Sequence, residues 1–175
     1  GTAVEGSNYE RTTIKLSGER SVNEKLSVSG NANYVRVASD RAQQGSNISG
    51  ILLGGYRTSP DFNNSDYTVD YYPNGLDGLP MENRHRAYRN PLGVMDAAPY
   101  ANPLFTLNKN VNTSLVNRLF GNVETSYDLF DWFNLTGRVG LDTYTDRRQR
   151  YFAIHSSTVP SGLNEEESFG EYQIN

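Results

Sequence analysis

The chain has 175 residues, a net charge of -4 at pH 7 and an apolar fraction of 36%, low for a domain of that length with an ordinary core. Its Lys and Arg residues are scattered rather than gathered into a stripe, which excludes the electrostatic footprint of a nucleic-acid partner. There is no cysteine, so disulfide frameworks and thiolate metal sites are excluded as well, while the compartment stays open.

The 12 Tyr and 16 Gly, with many Asn, Ser and Thr, suit strands, turns and wet loops. No apolar run approaches the twenty residues of a membrane helix, and Gly1-Thr2-Ala3-Val4 lacks the basic and apolar stretches of a signal peptide. With no initiator Met and alternation starting again near Ser168-Phe169-Gly170, both ends are expected to be cuts from a longer chain.

From Tyr9, residues Thr12, Ile14, Leu16 and Gly18 alternate with Arg11, Thr13, Lys15, Ser17 and Glu19, the period of a strand over 9–20. The break at Ser21-Val22-Asn23-Glu24 is a short turn. Then Leu26, Val28, Gly30, Ala32 and Tyr34 alternate with Lys25, Ser27, Ser29, Asn31 and Asn33, which predicts a second strand over 25–36 and a hairpin. Residues 37–112 hold most of the prolines and clusters such as Pro73-Asn74-Gly75, and read as a long structured loop. Within it, 46–56 is expected to form a short helix opened by Ser46 or Asn47, weakened by Gly50, Gly54 and Gly55.

Alternation returns over 114–127, with Leu119, Gly121, Val123, Thr125 and Tyr127 against Arg118, Phe120, Asn122, Glu124 and Ser126. After a tight break at Asp128-Leu129-Phe130-Asp131, a strand over 132–150 sets Phe133, Leu135, Gly137, Val139 and Leu141 against Asn134, Thr136, Arg138, Gly140 and Asp142. Residues 151–170 read as a second outer loop. The layout is strand, short turn, strand, long loop, twice over.

The fold class is therefore all-β, built from antiparallel hairpins. Periodicity alone does not separate a soluble sheet with one wet face from a membrane wall. Strand length and loop asymmetry favour the wall: about twelve residues at about 3.3 Å each, tilted near 45°, span roughly 28 Å, close to the apolar band of about 25 Å on an outer-membrane barrel. Short turns at one end and long loops at the other are the asymmetry such barrels show. The aromatics Tyr34, Phe130 and Trp132 are placed as interfacial girdle residues. On the polar face, Arg118, Asn122, Glu124, Arg138 and Asp142 would be costly against lipid and suit a watery lumen, bracing the wall or seating a plug. Four strands cannot close a barrel, the smallest having eight, so they are expected to be part of a larger one.

The stretches Tyr9-Glu10-Arg11, Lys25-Leu26-Ser27-Val28-Ser29-Gly30-Asn31-Ala32-Asn33-Tyr34 and Tyr100-Ala101-Asn102-Pro103-Leu104-Phe105 carry a family likeness. So do Arg118-Leu119-Phe120-Gly121-Asn122, Tyr127-Asp128-Leu129-Phe130-Asp131-Trp132-Phe133 and Gly137-Arg138-Val139-Gly140-Leu141-Asp142. Together they resemble the SusC/RagA-type TonB-dependent transporters of the Bacteroidota outer membrane. The resemblance implies an early to middle portion of a plugged 22-stranded barrel in a Gram-negative outer membrane. It implies import of oligosaccharides or peptides, a SusD-like surface lipoprotein as lid, and drive from the TonB complex. Neither the plug domain nor the TonB-contacting segment of such proteins is among these residues. Two rival readings remain: a secreted or surface carbohydrate-binding β-sandwich, and an unrelated outer-membrane porin.

Outside the strands, Tyr67, Tyr71, Tyr72 and Asn74 form a Tyr- and Asn-rich run suited to stacking sugar rings, against the plainer role of stabilising a loop. Asp61, Asn63 and Ser65 have the every-second-residue spacing of a calcium loop, but Asp66 stands where the turn glycine belongs and no Glu closes it. Arg84, Arg86 and Arg89 offer charge for an acidic ligand or a solvated loop face. His85 and His155 lack ligand-spaced partners and read as surface or packed histidines. No nucleophile elbow or phosphate loop is present, so neither an enzyme nor a cofactor is expected.

Overall fold

The computed structural model describes residues 6–42, 48 and 50–175, which divide into two compact units. The sheet unit holds Tyr9–Ser39, Ser114–Arg147 and Glu167–Asn175; the loop unit holds Gly1–Asn8, Asp40–Thr113 and Arg148–Glu166. The fold is mostly antiparallel β-sheet, in keeping with the all-β reading.

Five strands make one sheet: β1 (Asn8–Ser21), β2 (Leu26–Asp40), β5 (Val111–Phe130), β6 (Phe133–Phe152) and β7 (Leu163–Ile174), ordered β1-β2-β5-β6-β7. Between β2 and β5 lie α1 (Ile51–Tyr56), β3 (Thr68–Tyr71), β4 (Met81–His85) and α2 (Pro103–Lys109). The β1-β2 turn is closed by the Asn23 side chain, whose Oδ1 accepts from the amides of Lys25 at 2.9 Å and Leu26 at 2.8 Å. The β5-β6 turn is the two residues Asp131 and Trp132, later than the expected break at 128–131. At the far edge, Gly140 and Asn175 exchange both backbone hydrogen bonds, 2.7 and 3.0 Å, the closely paired rung of an antiparallel ladder.

Several boundaries differ from the sequence reading. Strand β2 continues to Asp40 rather than ending near 36, and β7 begins at Leu163, so the second loop is shorter than 151–170 and the sheet gains a fifth strand. The acidic run Glu165-Glu166-Glu167 hid this start, because period two is weak where both faces are polar. Two helices stand where one was expected. Helix α1 begins at Ile51 with Gly50 as N-cap and no side-chain cap; the caps expected at Ser46 and Asn47 lie outside the described residues. Helix α2 is opened by Asn102, whose side chain accepts from Leu104 N, with Pro at the first helical position.

The two units bury different things. Among the described residues, the buried apolar side chains are Ala87, Ala98, Ala101 and Phe105, all in the loop unit. The sheet has no such core: Leu16, Val139 and Ile174 are 67%, 63% and 63% exposed, and Ile14, Val123 and Leu135 each stand more than half exposed. Among the described residues, the apolar side chains of these long strands thus stand exposed, where a sheet with one face on a core would bury them.

Candidate functional site: the polar face of the sheet

Even-numbered positions of β5 and β6 share one face, and their side chains pair rung by rung. Starting from the short turn, Asn134 Nδ2 donates to Asp128 Oδ1 at 2.7 Å and to Ser126 Oγ at 2.8 Å. Next, Arg138 pairs with Glu124, its Nε 2.7 Å from Oε2. Higher on the strands, Arg118 forks across both Asp142 oxygens, with Nε 2.9 Å from Oδ1. Ser114 Oγ reaches Asp146 Oδ1 at 3.3 Å. The line crosses to β2 through Asn31 Nδ2, which donates to Asn122 Oδ1 at 3.0 Å.

All five residues expected to face the lumen, Arg118, Asn122, Glu124, Arg138 and Asp142, thus lie on this face and in this lattice. The forked Arg118 geometry fixes direction as well as charge. Three contributors were missed. Phe120 sits in the same row under the Arg118 guanidinium, 5.1 Å from its ring, and Glu171 and Gln173 of β7 join Val116, Arg118, Asp142 and Tyr144 in lining a shallow cleft. The even spacing from 118 pointed to Phe120; the β7 pair needed a fifth strand, which the sequence reading did not count among its four.

The opposite face carries the apolar odd positions. Tyr34 lies there in mid-strand, since β2 continues to Asp40, and not near the upper end as expected; its hydroxyl donates to Asn117 Oδ1 at 2.9 Å. At the short turn, the Phe130 and Trp132 rings stack at 5.6 Å with 9° between planes, and Trp132 is 82% exposed.

The remaining candidates fall in the loop unit, and most are engaged in holding it together. Tyr67 packs edge-on against Phe105 at 6.5 Å, and Tyr71 lies 5.9 Å from the Arg84 guanidinium. Tyr72 opens, and Asn74 lies within, the tight turn in which Gly75 N donates to Tyr72 O. The Asp61, Asn63 and Ser65 segment closes on itself: Asn63 Oδ1 accepts from Ser65 N, and Asn63 Nδ2 donates to Asp66 Oδ2. Arg86 donates to the carbonyls of Asn63 and Asp66 at 2.8 and 2.9 Å. Buried Arg84 is held by Gly93 O, Val94 O and Asp96.

His85 is wholly buried and joins three separate segments. Its ring stacks on Phe105 at 3.9 Å, its Nε2 accepts from Asn102 N at 3.0 Å, and its Nδ1 faces His155 O at 3.2 Å and Ser157 Oγ at 3.3 Å. Because Nε2 accepts from an amide, the ring is neutral with its proton on Nδ1. Burial pushes its pKa down to about 4, against a small upward pull from the His155 carbonyl. His155, at φ 68°, is lowered too, first by burial and then by the charge of Arg84. Ser157 and His85 do not make a nucleophile and base, since both are buried and the basic nitrogen is already occupied. Asn102 completes the knot: its Oδ1 caps α2 and its Nδ2 donates to Asn64 O and Arg86 O, both at 3.1 Å.

The polar face can hydrogen-bond and attract a polar solute. No family model, curated protein or solved structure matches this chain.

Proposed function

We propose that this chain is part of the wall, with the long connections, of an outer-membrane β-barrel importer of the TonB-dependent type, performing no chemistry and shaping the passage of a polar nutrient. One observation carries the membrane part of this reading. The long strands form a single layer with exposed apolar side chains on one face and paired charges on the other, while the buried apolar residues belong to the loop unit. Apolar surface of that kind is unfavourable in water by about 25 cal/mol per Å², and lipid removes the penalty. The charged lattice then faces a watery interior. Edge strands β1 and β7 carry backbone groups that further strands of a closed barrel would pair.

The importer class, the oligosaccharide or peptide cargo, the SusD-like lid and the TonB coupling rest on the residue resemblance alone. A soluble carbohydrate-binding sandwich is less well supported. It needs about seven strands in two facing sheets, whereas the second sheet among the described residues is a hairpin of four and five residues.

The test is to express the intact gene product in its native membrane context and fractionate the envelope. Recovery in detergent-resistant outer membranes, with a folded species that shifts on heating, supports the proposal. Recovery in the wash as a soluble protein overturns it.

A further inference from the structure

The hairpin of β3 and β4 ends in two consecutive tight turns, in which Gly75 N donates to Tyr72 O and Gly78 N to Gly75 O, each at 3.2 Å. Asn74 lies inside the first, exposed, and it is the one asparagine of the chain that is followed by glycine. Its side chain has no hydrogen bond or ion pair among the described residues. Gly75 stands at φ 77° with nothing within 4 Å of where a Cβ would be, so neither a side chain of its own nor a packed neighbour crowds it. The Gly75 amide is held by a single long hydrogen bond at an exposed loop tip, where local opening costs least.

The asparagines around it lack one or another of these conditions. Asn90 and Asn102 precede proline, whose nitrogen has no proton to lose. Asn63 commits its side chain to Ser65 N and Asp66 Oδ2, and the first of these bonds, at 3.0 Å, also holds the amide that follows Asn64. Asn64 Oδ1 is itself buried, and Asn83 precedes the buried Arg84.

We propose that Asn74 is a self-modification site, at which the loop unit converts its own amide to aspartate and isoaspartate in water without an enzyme. The Gly75 nitrogen, on losing its proton to solvent base, attacks Asn74 Cγ. The N–Cγ bond forms, the Cγ–Nδ2 bond breaks, and the side-chain nitrogen leaves as ammonia with a proton returned from solvent. Water then opens the cyclic imide at either carbonyl. Opening at Cγ restores the ordinary backbone and leaves a side-chain carboxylate; opening at the former backbone carbonyl routes the chain through Cγ and lengthens the turn by a methylene. Either product adds negative charge to residues 68–83, which already hold Asp70, Asp77 and Glu82 and no Lys or Arg. The site belongs to the loop unit and does not depend on whether the sheet meets lipid.

The experiment is incubation of the intact, folded protein in heavy-oxygen water over a range of neutral to alkaline pH, then digestion in ordinary water under acidic conditions and mass spectrometry of each peptide. The heavy oxygen marks conversion during the incubation, and methylation by isoaspartyl methyltransferase counts the rerouted product. The expected result is first-order conversion of Asn74, rising with hydroxide concentration, at a rate of the same order as in the urea-unfolded chain, while Asn64 keeps its amide. In Asn74→Gln, whose longer side chain disfavours the ring, the isoaspartate signal falls, and the remainder belongs to Asp77, which precedes Gly78 and forms the same imide with loss of water. Retention of the Asn74 amide in the folded protein, whether or not the unfolded chain converts it, overturns the proposal. So does conversion of Asn64 at the same rate, or an undiminished isoaspartate signal in Asn74→Gln.

Discussion

Acid should open the loop unit through His85. The neutral ring accepts a hydrogen bond from Asn102 N and is buried, with its pKa pushed from 6.5 to about 4. A locally opened form has the ordinary value, so the sign follows directly. Above pH 6.5 neither form binds the proton and the closed state has its full stability. Between 6.5 and about 4 the open form takes up a proton that the closed form rejects, and stability falls with pH, by at most tenfold per unit. Below about 4 the closed form is protonated as well and the loss is complete. At 1.36 kcal/mol per unit the shift amounts to about 3 kcal/mol, roughly two orders of magnitude in the opening equilibrium. Hydrogen exchange of the peptides covering β4 and α2, corrected for the intrinsic pH dependence of exchange, reads this as a falling protection factor. His85→Gln can still accept from Asn102 and donate toward His155 but cannot be protonated, so most of the slope should vanish. A shallower slope of the same sign should remain from His155, whose pKa is also lowered. Protection that is flat with pH in the parent chain, or an undiminished slope in His85→Gln, refutes the reasoning.

Four substitutions probe three other points. Gly93 sits at φ 67° with room for no Cβ, since one would lie 2.8 Å from Arg84 Cβ and from Val69 Cγ1. Gly93→Ala should therefore weaken the loop unit by about 1–3 kcal/mol, measured by exchange protection around Arg84. Asn102→Ala should cost more than the usual N-cap loss of about 0.5–2 kcal/mol, because Asn64 O and Arg86 O also lose their donor. Asn102→Asp, ordinarily a neutral cap exchange, should be at least as damaging here, since it keeps the acceptor and removes both donors; equal stability of Asn102→Asp and the parent in thermal melts would contradict this. A Cβ at Gly121 would overlap Asn31 O and lie 3.0 Å from Ala32 Cα. Gly121→Val should part β2 from β5 and lower the heat-modifiable folded fraction in membranes.

What the sequence made legible was the sheet. Period two over Leu119 to Tyr127 and over Phe133 to Leu141 places the lattice residues on one side without any knowledge of pairing, because each side chain's face is set by its own parity. Pairing itself was not legible: that Glu124 meets Arg138 and Arg118 meets Asp142 depends on the register of β5 against β6, which the alternation of either strand alone does not give. The loop unit was harder, since its organisation is made of side chains capping backbone groups far away in sequence. His85 and His155, far apart along the chain, meet through a carbonyl, which no ligand spacing announces. Helix α2 was recoverable in hindsight from Asn102-Pro103, a cap followed by a helix-starting proline.

The central claim is that one face of the sheet meets lipid, and it is best tested by a cysteine scan. The segment contains no cysteine, so single cysteines along β6 from Phe133 to Asp142 can carry a bimane label in the intact protein reconstituted with brominated lipids. The account predicts quenching at Phe133, Leu135, Gly137, Val139 and Leu141, and little at Asn134, Thr136, Arg138 and Asp142. Quenching at neither set, or at both alike, would contradict a lipid-facing wall.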